Sequence, residues 1–189
     1  MKFKRTLKNV GVGLLVVLVI SFFGLIIWAK TGTLESKEAA AAALLSTERV
    51  TITQNRWIVF EPEAEAETGL IFYPGGLLDA KAYAPILHQI SDEGVLVIIT
   101  PMPLNLAILN TNAANDVIDH YSQISYWIIA GHSLGGASAA IYSENNPERI
   151  DAIALWDSYP PDSSDLSDNA ILALSIFGTS IEFPNTGKL

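Results

Sequence analysis

The stretch Trp127-Ile128-Ile129-Ala130-Gly131-His132-Ser133-Leu134-Gly135-Gly136-Ala137 constrains the fold more than any other part of the chain. An apolar strand-like run breaks there into G-x-S-x-G and continues into a small-residue, helix-compatible segment. A strand that turns abruptly into a helix holds the residue at the turn in strained geometry, and glycine at Gly131 and Gly135 lets the chains pass where a Cβ would clash. Ser133 is thereby pushed out at the tip of the turn, the pattern of a nucleophile elbow. The start of the following helix aims free backbone N–H groups at the same place, so the Leu134 N–H is a candidate for half of an oxyanion hole. The competing reading is a chance G-x-S-x-G in a glycine-containing loop; the strand before it and the helix after it speak against that.

The run Val10 to Ala29 carries no charge over 20 residues, enough at 1.5 Å per helical residue to span about 30 Å of hydrocarbon. Lys2, Lys4, Arg5 and Lys8 precede it and a mixed flank (Lys30, Glu35, Lys37, Glu38) follows, which predicts residues 1–9 as a cytoplasmic tail and the bulk of the chain on the outer side of the cell membrane. A cleaved signal peptide is the alternative, but the run exceeds the usual apolar core and ends in Trp28-Ala29-Lys30 without a small-x-small site, which favours an uncleaved signal anchor. Trp28 suits the membrane interface. Residues 30–47, with five consecutive alanines, are expected to form a short helix that either stands the domain off the membrane or packs its alanine face on it.

Composition then bounds the remainder, residues 48–189. Half of the chain is hydrophobic and 16% is charged, ample for one buried core in one domain. The absence of cysteine excludes disulfides, thiolate metal sites and a cysteine nucleophile. The net charge is −9, and with the four basic residues of the tail set aside the rest stands at −13, a poor match for nucleic acid. The run Glu61, Glu63, Glu65, Glu67 lacks turn glycines and Asp/Asn ligand spacing and is expected to be a solvated loop between strands. No ligand-spaced His/Asp/Glu cluster and no phosphate-cradling loop occurs, so neither metal nor nucleotide cofactor is expected.

Val50 to Thr53 and Trp57 to Phe60 predict a hairpin, and Leu70 to Tyr73 a strand apolar on both faces, as in the middle of a parallel sheet. Helical spacing over Ala82 to Ser91 leads to a strand over Val95 to Thr100, and a helix over Asn112 to Tyr121 leads to the strand Tyr126 to Ala130. A helix from Ala137 to about Asn145, a strand over Ile150 to Trp156 and a last one over Ala170 to Phe177 complete the pattern. The prediction is an α/β chain with a mostly parallel sheet flanked by helices and preceded by one transmembrane helix.

This order of elements, the Tyr73-Pro74-Gly75-Gly76 loop, the Gly131-to-Gly136 elbow, Pro101-Met102-Pro103-Leu104-Asn105-Leu106-Ala107 and Leu155-Trp156-Asp157-Ser158-Tyr159-Pro160 together resemble the α/β-hydrolase superfamily. The likeness is to its small "alpha/beta hydrolase fold-5" group and covers about residues 48–179. The resemblance implies a serine hydrolase acting on a small-molecule ester or similar acyl bond through Ser133. It places the second oxyanion donor on the Gly76 N–H, with Leu77 the neighbouring possibility, and lets Pro101 to Asn110 line the pocket. In the family the triad runs Ser, Asp or Glu, then His. Here Ile181 occupies the acid's slot after the last strand, with Glu182 one residue later, and Asp157 is the other candidate acid.

The three histidines do not fit the base's place in that order: His132 adjoins Ser133, and His88 and His120 fall within helices. The resemblance therefore implies a domain incomplete at its C-terminus, lacking the family's last strand. The alternatives to an active hydrolase are a catalytically impaired truncated product or a noncatalytic binding module.

Overall fold

A computed structural model of the chain describes residues 2–167 and 170–178. Seven strands form one sheet in the order β1-β2-β4-β3-β5-β6-β7: β1 Val50–Gln54, β2 Ile58–Pro62, β3 Thr68–Tyr73, β4 Leu96–Ile99, β5 Tyr126–His132, β6 Ala152–Trp156 and β7 Leu172–Ile176. The β1–β2 hairpin is antiparallel and joins β4 antiparallel through β2; every pairing from β4 to β7 is parallel.

The buried strands are apolar on both faces because each face has its own core. Ile71 and Tyr73 of β3, Leu96 and Ile98 of β4, Trp127 and Ile129 of β5 and Ile153 and Leu155 of β6 pack with helices α4 (Ala113–His120) and α5 (Leu134–Asn145). The alternate residues Leu70, Phe72, Val97, Ile99, Ala130 and Ala154 pack with Ala84 and Leu87 of α3 (Ala84–Asp92). The period-two alternation of strand side chains separates the two sets.

Helix α4 loses one residue at each end of the expected Asn112 to Tyr121, which become its caps, and two other helices differ from their predicted limits by more. A 3-10 turn, Ala80–Tyr83, precedes α3, which accommodates Pro85 in its first turn, where a missing N–H costs no hydrogen bond. Helix α5 begins at Leu134, three residues before the expected Ala137. Helix propensity argues against Gly135 and Gly136 in a first turn, but close packing demands them there.

Helix α1 runs over Lys2–Gly32, and Val10–Gly32 is long and apolar enough to cross a membrane; its most apolar stretch is unburied, and Ala29 near its end is buried. The segment after it is no free stalk: helix α2 (Glu38–Ala42) lies on α3, burying Ala40, and Leu44 enters the core. Of the two arrangements open to the alanine run, packing wins because small side chains permit close approach.

At the other edge of the sheet, β7 pairs with β6, yet all five of its residues are exposed. The expected limits for this strand, Ala170 to Phe177, shorten to Leu172–Ile176.

Candidate active site

Strand β5 ends at His132 and α5 starts at Leu134, so the whole reversal falls on Ser133, which has φ 50° and ψ −121°. Positive φ on a residue with a Cβ is strained by about 1–3 kcal/mol and needs support from its surroundings. That support is visible on both sides of the residue. The Ser133 N–H donates to the Trp156 carbonyl at 3.0 Å, and the Ser133 carbonyl accepts from Ala137 N–H at 3.1 Å and from Ser158 Oγ at 2.7 Å.

The glycines allow this wedge to close. A Cβ on Gly131 would stand 2.5 Å from Gly135 C and Gly136 N, and one on Gly135 would stand 2.1 Å from the Tyr73 carbonyl oxygen. A Cβ on Gly136 would meet Ser158 Cβ and Oγ at 2.5 Å.

Hydrogen bonding sorts the amides of the loop after β3. The Gly75 N–H donates to the Tyr83 hydroxyl at 2.9 Å, Leu77 N–H to the Asn105 carbonyl at 2.8 Å and Leu78 N–H to the Gly75 carbonyl at 3.3 Å. Gly76 N–H has no partner among the described residues, so of the two amides named from the sequence, Gly76 is uncommitted and Leu77 is not. A Cβ on Gly76 would lie 3.1 Å from Leu134 Cδ2. Gly76 thus touches the first residue of α5, whose own N–H belongs to the unsatisfied first turn.

The three histidines are all engaged elsewhere. His132 Nδ1 lies 2.9 Å from the Tyr83 hydroxyl. That hydroxyl also accepts the Gly75 N–H, and burial raises the Tyr83 pKa, with the Gly75 bond opposing, so the hydroxyl is protonated. His88 Nδ1 is 2.8 Å from the Ala43 carbonyl. The His120 ring packs against Trp57 and Tyr121, in a separate cavity that also holds Arg56.

Ser133, Leu134 and Asp157 line one cavity of ≈ 380 Å³, together with Ala137, Ser158, Tyr159 and Pro161. No histidine is on that wall. Asp157 also has positive φ, 42°; its N–H donates to the Ile176 carbonyl at 2.8 Å and its Oδ1 accepts from Gly178 N–H at 3.1 Å. Glu182 lies outside the described residues.

The loop Pro101 to Asn110 does not line this cavity; it reaches the site through Asn105, which accepts Leu77 N–H, and Leu106, close to Gly76. Reading the sequence missed Tyr83, Asn105 and Ser158. Asn105 and Ser158 left a trace, as members of the stretches 101–107 and 155–160, but neither was given a role.

A mostly parallel sheet with helices on both faces, and a serine at a glycine-flanked strand-to-helix turn beside the loop of the central strand, define an α/β-hydrolase chain. The alpha/beta hydrolase family profile matches residues 69–188, and the chain belongs to that family. No protein of curated function matches the sequence.

Similar solved structures include the Francisella virulence factor BioJ, at 15% identity over 69% of this chain and 49% of that one, with a TM-score of 0.49. Carboxyl esterase 2 of the mycorrhizal fungus Tuber melanosporum is 13% identical over 66% of this chain and 49% of that one, with a TM-score of 0.49. Epoxide hydrolase A of Mycobacterium thermoresistibile is 14% identical over 61% and 40%, with a TM-score of 0.45. The chain spans about half the length, or less, of these proteins.

Proposed function

We propose that this chain is a membrane-anchored serine hydrolase-type protein that engages an ester or similar acyl bond at Ser133. The observation that carries the reading is the convergence of a strained, outward-turned Ser133 with two uncommitted amides, Gly76 and Leu134, beside a cavity. Attack by Ser133 Oγ on the acyl carbon builds a tetrahedral oxyanion, to which both N–H groups donate; the alcohol then leaves and water releases the acid. Removing one such donor typically costs 10²–10³ in rate. Asp157 is the candidate to orient a base, and Glu182 the other carboxylate in the running.

The base is the open part. All three histidines of these 189 residues are engaged elsewhere. Without an oriented base a serine hydroxyl is a weak nucleophile at neutral pH. This favours a second reading, in which the same pocket holds an acyl ligand with little turnover. Hydrolysis of p-nitrophenyl acetate and butyrate, wild type against Ser133→Ala, separates them. Little turnover by the unmodified chain is the expected result; robust turnover lost in Ser133→Ala would mean that a base reaches Ser133 from another chain or by rearrangement.

The helix Val10–Gly32 and the basic residues before it support a single-pass anchor with a cytoplasmic N-terminus and an outward-facing domain. Retention in the membrane pellet after carbonate washing tests the anchor. A mature N-terminus near residue 30 would overturn it.

A further inference from the structure

The end of α1 is bonded to the loop that carries Gly76. Leu34, two residues past the helix, donates its N–H to the Leu77 carbonyl at 2.8 Å, and its carbonyl accepts Asp79 N–H at 3.0 Å. Thr33 Oγ1 donates to the Ala29 carbonyl at 2.7 Å and accepts from Asn105 Nδ2 at 2.9 Å. Asn105 in turn holds Leu77, so the residue next to Gly76 is gripped from two sides in a positive-φ conformation of 55°. Ala29 is 1% exposed although Trp28 and Lys30 beside it are exposed, because α1 packs against the 3-10 turn Pro103–Asn105.

These contacts set the height of the site above a bilayer. A hydrocarbon layer of about 30 Å takes about 20 helical residues, so a span that starts at Val10 ends at Ala29. The turn packed on that end then lies at the boundary itself. From there Leu34 bonds Leu77, Leu77 follows Gly76, Gly76 touches Leu134 and Leu134 follows Ser133, a path of roughly 15–20 Å at 3.8 Å per residue step and about 5 Å per contact. Exposed apolar side chains stand on the segments involved: Leu34 (66%) beside Leu77, and Ile108 (49%) and Leu109 (53%) in the turn after Pro103–Asn105. Ile108 and Leu109 belong to the 3-10 turn Ala107–Asn110, which packs against α5, directly after the turn that packs against α1. Scattered exposed apolar residues need no explanation. Ile108 and Leu109 sit on a loop that touches both the membrane-length helix and the elbow helix, and Leu34 is bonded to the loop of Gly76.

Resting on the reading of α1 as a span and Ser133 as the reactive group, we propose that Leu34 and the Ala107–Asn110 turn lie in the headgroup layer. The Ser133 cavity then takes the acyl chain of a bilayer lipid ester in place of a water-dissolved ester. Each methylene drawn from hydrocarbon into water costs a factor of about four in partition. A long acyl chain therefore reaches a serine most readily where that serine is held close to the membrane, as the bonds from Leu34 through Leu77 to the Gly76 loop hold Ser133 here.

The test uses the full chain in phosphatidylcholine vesicles and needs no turnover. Because the protein has no cysteine, the variants Ile108→Cys, Leu109→Cys and Glu148→Cys each carry one environment-sensitive dye. Flotation with the vesicles reports the anchor. Blue-shifted emission at 108 and 109, quenched by shallow nitroxide lipids severalfold more than at 148, is the expected result. Dyes at 108 and 109 as wet as the one at 148, in protein that floats, would overturn the inference and leave the anchor standing.

A phosphatidylcholine with a photoreactive group on its acyl chain should also crosslink the peptide containing Leu134 and Ala137. Crosslinks confined to α1 would remove the lipid substrate, and absent flotation removes anchor and inference together. Both readouts are independent of acylation, so a Ser133 that never turns over counts against the hydrolase reading alone.

Discussion

The Tyr83 hydroxyl stands 2.9 Å from His132 Nδ1 while accepting the Gly75 N–H at 2.9 Å, and so ties the residue before Ser133 to the residue before Gly76. The two halves of the site, which belong to loops after different strands, are thereby held at a fixed separation. Tyr83→Phe removes both bonds and leaves a half-buried amide and ring nitrogen unpaired. The expected loss is about 1–3 kcal/mol of stability. Nitrogen NMR of His132 should show the Nδ1 resonance moving in the variant; an unchanged resonance would show that the bond does not form in solution.

Gly135→Ala places a Cβ 2.1 Å from the Tyr73 carbonyl oxygen and 2.4 Å from that of Pro74. Both are backbone atoms of the central strand and its loop, which cannot swing aside as a flexible side chain does. The cost should lie at or above the top of the usual overpacking range, about 3 kcal/mol. Gly178→Ala meets nothing within 4 Å and should stay within about 0.5 kcal/mol of wild type. Denaturant titration in detergent compares the two, and equal midpoints would contradict the packing described for the elbow.

Alkaline pH should destabilise the domain through two buried phenols. Tyr73 donates to the Thr111 carbonyl and accepts from Ala114 N–H, and burial pushes its pKa far up. Burial also pushes Tyr142 up to about 12. Below about pH 10 both groups are protonated in the folded and unfolded states alike. Between pH 10 and 12 only the unfolded state releases its protons, so stability falls as pH rises, by up to about 1.4 kcal/mol per pH unit for each phenol. Tyr142→Phe should shallow that decline in melts taken from pH 9 to 12; an unchanged slope would remove Tyr142 from the account.

Strand β7 carries Leu172, Leu174 and Ile176, with Phe177 following, at 49–69% exposure, beside an apolar cavity of ≈ 300 Å³ that also includes Ile128, Ile153 and Trp156. An exposed apolar edge of this kind is a template for pairing with other chains. The 189-residue chain is therefore expected to bind an apolar dye and to self-associate with rising concentration, and Leu174→Lys should reduce both. Sedimentation of wild type as a monomer at high concentration would argue that this edge is covered in solution.

The strands were legible because local sequence alone sets their alternation: Leu70 to Tyr73 has no polar residue to place in water and must lie inside a sheet. The elbow was legible for the same reason, since Gly131 and Gly135 are spaced around Ser133 within a single turn. The β1–β2 hairpin followed from a short turn between β-formers. What joins these pieces was not written locally. Tyr83 meets His132 across 49 residues, Ser158 reaches the Ser133 carbonyl across 25 and Asn105 finds Thr33 across 72. No periodicity or motif encodes such pairs, because they arise from which loops the parallel sheet brings to one edge. The start of α5 and the docking of residues 33–44 were likewise settled by packing, where close approach of backbone and small side chains outweighs intrinsic helix preference.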